Sequence, residues 1–148
     1  MDIEMRKCQI EDEQAVYELV CEQKQELLAK AYFHKVWLNG MHNGDRQCYL
    51  GYCKGVPCAF TNLSIRYPLH HSFPVAEIEE FIVKEEFRRQ GIGSYMFSQL
   101  VSIAQTYGAQ LLELSSKDTC IHAHVFYRKH GMTMRQYKFT LDIGKKTE

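Results

Sequence analysis

Two stretches of this sequence put residues that can do chemistry next to structure that can hold them. The apolar run Val75-Ala76-Glu77-Ile78-Glu79-Glu80-Phe81-Ile82-Val83 carries three carboxylates where a strand would otherwise be wholly hydrophobic. An unpaired carboxylate is costly to bury, so these side chains should line something wet or cationic, where a carboxylate can take a proton from an amine. Strand alternation puts Glu77 and Glu79 on one face and Glu80 on the other, unless a bulge intervenes. Any one of them could equally pair with a lysine or arginine across a sheet. Further on, Phe87-Arg88-Arg89-Gln90-Gly91-Ile92-Gly93-Ser94 leads straight into an amphipathic helix. Gly91 and Gly93 permit a tight turn and a close approach of backbone to an anion, and the helix start adds unpaired N–H groups and the positive end of a dipole. Arg88 and Arg89 add positive charge, so the junction suits a diphosphate. It is not a Walker A loop, because no Gly-Lys-Ser/Thr follows, and Met96 stands where a dinucleotide fingerprint needs its third glycine.

The elements that must position these residues are legible from periodicity. Ile3 to Gln9 alternates as a strand, Glu11 to Glu26 carries the helical stripe Ala15, Val16, Leu19 and Val20 with Asp12 as its N-cap, and Leu28 to Leu38 forms a second helix stopped by Asn39-Gly40. Gln47 to Cys53 and Pro57 to Tyr67 read as a hairpin around Lys54-Gly55, and Val75 to Val83 as the next strand. The helix Gly93 to Tyr107 presents Met96, Phe97, Leu100, Ile103, Ala104 and Tyr107 at helical spacing, with Gly108 as its C′ residue. Leu111 to Ser115 is a strand, Ile121 to His130 a short helix ended by Gly131, and Thr133 to Ile143 a last strand, after which residues 144–148 should fray. This order, βααβββαβαβ, is that of an α/β sheet with helices on both faces.

At 148 residues the chain is expected to be one domain, large enough to bury a core without staples. Its 18 basic and 18 acidic residues balance, and no basic block, bilayer-length apolar run or signal peptide behind Met1-Asp2-Ile3-Glu4 is apparent; neither a nucleic-acid nor a membrane partner is expected, and the chain reads as cytoplasmic. The six cysteines contain no Cys-x-x-Cys pair and read as free thiols. His70-His71 lies in a loop bracketed by Pro68 and Pro74, but two histidines without a fixed third ligand do not make a metal site, and none is expected.

Arg88, Gly91 and Gly93 together match the pattern Arg/Gln-x-x-Gly-x-Gly/Ala, and the segment Ala123-His124-Val125-Phe126-Tyr127-Arg128-Lys129-His130-Gly131 has a helix tyrosine followed by a glycine turn. Both features resemble the GNAT superfamily of N-acetyltransferases, whose element order coincides with this one from end to end. The resemblance implies a single mixed, mostly antiparallel sheet whose central strands splay apart, and acetyl-CoA as co-substrate. The coenzyme would be bound by Phe81, Ile82 and Val83 at the strand end and by Arg88, Arg89, Gln90, Gly91, Ile92, Gly93 and Ser94 in the loop. It also implies direct attack of an amine on the thioester within a ternary complex. Glu77 stands where some members keep a general base and Glu79 where others place an acidic residue near the amine, with Glu77 favoured narrowly. Tyr127 would protonate or hydrogen-bond the departing thiolate, and a backbone N–H near Ile82 or Val83 would meet the oxyanion. Cys120 occupies a position where many members carry asparagine, and it is read as structural.

Closer similarity is to aminoalkylphosphonate N-acetyltransferases, carried by Ala15 to Gln25, Leu69-His70-His71 with Glu77-Ile78, Glu113-Leu114-Ser115, and Ala123-His124 with Phe126-Tyr127. That resemblance implies a small acceptor with an amine at one end and an anion at the other, so that Glu77 and Glu79 serve the amine while Arg66, His70 and His71 serve the anion. Polyamine, aminoglycoside-like and peptide amines are the other acceptors, and a non-catalytic acyl-CoA sensor is the alternative from another class. A homodimer is left open.

Overall fold

The computed structural model describes residues 2–144. They fall into two compact units, Met1–Leu114 and Ser115–Glu148. The first unit is a five-stranded sheet in the order β1-β2-β3-β4-β5, built from β1 (Ile3–Lys7), β2 (Arg46–Cys53), β3 (Val56–Arg66), β4 (Val75–Val83) and β5 (Leu111–Leu114). Neighbouring strands run antiparallel as far as β4, and β5 alone lies parallel to its neighbour. The predicted α/β class and mixed, mostly antiparallel sheet are therefore what forms.

Helices cover both faces of this sheet. On one face α1 (Glu13–Lys24) and α2 (Lys30–Met41) bury Val16, Leu19 and Trp37 against Cys48, Leu50, Phe60 and Ile82. Two buried polar tips find backbone partners: the Tyr17 hydroxyl donates to the Leu28 carbonyl at 2.6 Å and the Trp37 indole N–H to that of Ile10 at 3.1 Å. On the other face α3 (Ile92–Thr106) buries Ile92 and Met96 against Cys53, Cys58 and Ala59. The β2–β3 hairpin turns through Lys54 and Gly55, both at positive φ, and Gly108 ends α3 at φ 82°, with the amide of Ala109 donating to Ala104 as a helix-terminating motif requires.

Two departures from the expected elements carry information. Gly40 lies inside α2 and the helix continues to Met41, with His42 as its C-cap, so the glycine does not end it. The strand expected over Thr133 to Ile143 is absent: these residues carry no regular secondary structure and are exposed, although Tyr137, Phe139, Leu141 and Ile143 alternate as a strand would. Alternation alone does not make a strand, since the ladder needs a partner for its N–H and C=O groups, and among the described residues none pairs with this segment. The second unit holds α4 (Ile121–Lys129), ended by Gly131 at φ 91°. Residues 145–148, expected to fray, lie outside the described residues.

Candidate active site

The β4 strand makes the site by breaking its own regularity. Asn62 of β3 stands opposite Glu80, but the next residue, Leu63, stands opposite Ile78, so Glu79 is the extra residue of a β-bulge. The bulge is pinned from two sides: the buried Thr61 hydroxyl donates to the Glu80 carbonyl at 2.8 Å, and the Asn62 amide donates to the carboxylates of Glu79 at 3.2 Å and Glu80 at 3.1 Å. It also resets the pleat. Ser64 opposes Glu77 and Asn62 opposes Glu80, and both belong to the same alternating row of β3 as Phe60, which packs under α1 and α2. Glu77 and Glu80 thus share that face, and Glu79 reaches it through the bulge. The expectation that Glu80 would point to the opposite face from Glu77 is corrected by this extra residue.

Each carboxylate has its own neighbours on that face. Arg66, at the end of β3, donates from Nη1 to Glu77 in an ion pair. Arg46 of β2 reaches Glu79 at 3.3 Å, and its buried Nε finds no hydrogen-bond partner. Glu80 has the Asn62 amide, and no basic side chain among the described residues forms an ion pair with it. Burial pushes the Glu80 carboxyl above its ordinary value, the Glu79 charge adds to the rise, and the Asn62 hydrogen bond and the Arg46 charge oppose it. Arg66, proposed from sequence to hold an anion, is therefore already engaged by a carboxylate. His70 and His71 ride on the loop between β3 and β4 with ring centroids 4.4 Å apart, and His71 stacks on Phe73 at 4.9 Å.

The same bulge marks where the sheet opens. Parallel pairing of β4 with β5 runs from Val75 opposite Leu111 to Ile78 opposite Leu114 and stops there, while β4 continues to Val83. Residues 79–83, which include Phe81, Ile82 and Val83, consequently run past the end of β5, and among the described residues no strand pairs with them on that side. At the end of this edge lies the glycine junction. Arg89 and Gly91 both take positive φ, at 63° and 85°, and Gly91 is the N-cap of α3, with no side-chain cap among the described residues. Ile92 is buried and anchors the first turn in the core, whereas Arg88, Arg89, Gln90, Gly91 and Ser94 are exposed and Gly93 half-buried. Arg88 is held in place, donating from Nε to the Val83 carbonyl at 2.8 Å and from Nη2 to Gln23 of α1 at 3.3 Å. A cleft of about 270 Å³ opens between the end of α1 and this loop, lined by Leu19, Gln23, Ile82, Val83 and Arg88 among others. An uncapped helix start behind a left-handed glycine is a ready anion site.

Tyr127 belongs to the second unit, where it is half-buried on α4 with its ring edge-on to Phe126 at 5.5 Å between centroids. Burial raises its phenol above the ordinary tyrosine value, and Cys120 adds to the rise, so the group is a proton donor across the neutral range. All six cysteines are free; burial raises the thiols of Cys48 and Cys58 to about 11, which removes them as nucleophiles at neutral pH. Among the described residues no group of three or more His, Cys, Asp or Glu side chains is arranged to hold a metal ion, and no helix is long and apolar enough to cross a membrane.

Two residues of the carboxylate cluster, Arg46 and Asn62, were not singled out from sequence, and Glu80 was picked out as one of the three carboxylates without a role of its own. Asn62 did leave a signal, as an amide in the middle of an otherwise apolar strand. Arg46 left none, because it begins a strand that follows a polar turn.

Comparison with known proteins agrees with this geometry. Residues 13–132 match the model of the Acetyltransferase (GNAT) family. The chain is 29% identical over 137 residues to an aminoalkylphosphonate N-acetyltransferase of Salmonella typhimurium, covering 93% of this chain and 89% of that protein. In fold it is similar to a transcriptional regulator from Bacillus halodurans, with a TM-score of 0.86, 15% identity and 95% and 99% of the two chains covered. It is also similar to an aminoglycoside N-acetyltransferase solved in complex with CoA, with a TM-score of 0.84, 14% identity and 96% and 95% covered. With its glycine loop, its opened sheet and its carboxylate-bearing fourth strand, the chain belongs to the GNAT family and is an N-acetyltransferase.

Proposed function

We propose that this enzyme transfers the acetyl group of acetyl-CoA to the primary amine of a small acceptor that also carries an anion, an aminoalkylphosphonate in the first instance. The observation that supports the acceptor class is the interleaving on one sheet face of Glu77, Glu79 and Glu80 with Arg46 and Arg66. A purely acidic cleft would suit a polycation, whereas a cleft with guanidinium groups among its carboxylates suits a ligand bearing both charges. The relative from Salmonella typhimurium, named for such a substrate, points the same way.

In this reading the amides of Gly91 to Ser94, with Arg88 and Arg89, hold the coenzyme's diphosphate, and the strand end Phe81, Ile82 and Val83 holds its pantetheine arm. An N–H of that strand end meets the oxyanion. Glu77 and Glu79 draw in the acceptor's ammonium, while Arg66, His70 and His71 meet its anion, Arg66 exchanging Glu77 for the ligand. Tyr127 gives its proton to the departing thiolate, a role that rests on its segment of α4. Residues 1–148 act as one GNAT domain, since the family match runs across the boundary between the two units. Free thiols suit a reducing compartment, the cytoplasm.

The test is thiol release from acetyl-CoA with 2-aminoethylphosphonate, a polyamine and an aminoglycoside offered separately. The aminophosphonate is expected to exceed the others in kcat/KM by at least about tenfold. Faster turnover of the polyamine would overturn the acceptor class, and no thiol release with any amine would overturn acetyl transfer.

A further inference from the structure

The three glutamates of β4 are alike in sequence and unlike in surroundings. Glu77 is held by Arg66 and Glu79 by Arg46, so each of these carboxylates already has a guanidinium partner. Glu80 is the member of the row that, among the described residues, has an amide in place of a guanidinium; the residue as a whole is exposed, as Glu79 is, while the crowding around its carboxyl group is what raises its pKa. It sits in a polar line across the sheet: Cys48 stands opposite Asn62 and Asn62 opposite Glu80, with the Cys48 thiol 3.4 Å from the Asn62 carbonyl oxygen. That contact fixes which end of the Asn62 amide faces the carboxylates, so its N–H donors are the ones that meet Glu79 and Glu80. The bulge places the two carboxylates on one amide, where charging both is unfavourable and the less neutralised one takes up a proton more readily.

From this arrangement we infer that Glu80, and neither Glu77 nor Glu79, takes the proton from the acceptor's ammonium group, an assignment that rests on the acetyl-transfer reading above. The step balances as follows. One ammonium proton passes to the Glu80 carboxylate, and the freed nitrogen lone pair forms the C–N bond to the thioester carbonyl. The C–S bond breaks as the adduct collapses, the departing sulfur is protonated, and the nitrogen sheds its second proton. Glu80 then returns its proton to solvent, so one net proton is released per acetyl group transferred. The charged groups acting on Glu80 are Glu79 beside it on β4 and Arg46 on β2. The titratable groups packed on this face include Cys48 of β2, whose thiol burial raises to about 11, and Tyr17 of α1, whose phenol burial also raises, so both are neutral where Glu80 titrates, and Val16, Leu19 and Trp37 carry no titrating group. Its raised pKa supports the assignment, because a base nearer neutrality matches an ammonium better.

The experiment compares Glu80→Gln, Glu77→Gln and Glu79→Gln in thiol release with acetyl-CoA and 2-aminoethylphosphonate, from mildly acidic to alkaline pH. Glu80→Gln is expected to lower kcat about 100-fold at neutral pH and to erase the acid limb of the kcat profile. Its rate should recover only where the amine ionises unaided. Glu77→Gln and Glu79→Gln should keep the limb and express their loss in KM. Asn62→Ala removes a bond that favours ionised Glu80, so it should move the limb to higher pH. Retention of the limb by Glu80→Gln, or its loss in either other variant, would overturn the assignment. A wild-type enzyme that turned over no amine would instead sink acetyl transfer itself.

Folding does not confuse the result, and its sign can be worked out. A carboxyl whose pKa is raised in the folded state favours folding while protonated, and that contribution is lost as pH rises from the ordinary value of 4.5 through the folded one. Glu80→Gln should therefore melt at or above wild type at neutral pH, with the difference vanishing below that ordinary value. A lower melting temperature at neutral pH would mark Glu80 as a structural group and overturn its role as base.

Discussion

A side chain's chemistry is set by what stands within a few ångströms of it. Glu77, Glu79 and Glu80 are three copies of one functional group, yet Arg66, Arg46 and Asn62 give them different surroundings. The sequence makes the presence of acidic side chains in this strand plain, because carboxylates in an apolar run demand an explanation. It leaves their division of labour hidden, since that depends on partners from β2 and β3 far away in the chain. Tyr127 is the residue proposed above as the acid. Its raised pKa keeps the phenol protonated through neutrality, so the fall in rate at alkaline pH should begin above the ordinary value of 10. Tyr127→Phe is expected to lower kcat about 100-fold with acetyl-CoA affinity unchanged, measured by steady-state kinetics and calorimetry. An unchanged kcat at every pH would remove the tyrosine from the proton path.

At the scale of elements, regular periodicity was readable and its interruptions were not. The hairpin around Lys54-Gly55, the helix start at Gly91 and its end at Gly108 all follow from residues with strong local preferences. The bulge at Glu79 has no such signature: Thr61 and Asn62 pin it from the neighbouring strand, so a residue count along β4 alone assigns Glu80 to the wrong face. The converse error occurs at Thr133 to Ile143, where perfect alternation is present and no partner strand supports it among the described residues. Close packing between elements is equally invisible locally. Met96, which occupies the place of a third glycine, fits over Gly51 of β2, where a Cβ would lie 3.0 Å from the Met96 sulfur and 3.2 Å from the Ala59 Cβ. The thioether can shift but the strand-borne Ala59 cannot. Gly51→Ala should thus destabilise the protein by about 1–3 kcal/mol in chemical denaturation, and an unchanged midpoint would refute this packing argument.

For the molecule as a whole, one irregularity in β4 separates two halves of a reaction. On the α1/α2 face the bulge gathers carboxylates and arginines able to receive a doubly charged acceptor. Along the strand, pairing with β5 ends at Ile78, next to the bulge, and β4 runs on to Val83 ahead of the loop that opens α3 at Gly91. The fold was legible because element order and the glycine loop survive in the sequence as local patterns, and the family match spans residues 13–132, which include that loop. The acceptor side was less so, being assembled from single residues on separate strands. The coenzyme side is where the account stands or falls. The decisive measurement is calorimetric titration of acetyl-CoA into the folded protein and into an Arg88→Ala, Gly91→Ala double variant. One molecule should bind per chain, and the variant should bind at least about tenfold more weakly, because Gly91 would be strained at φ 85° and the Arg88 contacts to Val83 and Gln23 would be gone. Absence of binding by the wild-type protein, or equal binding by the variant, would contradict a diphosphate held at the mouth of α3.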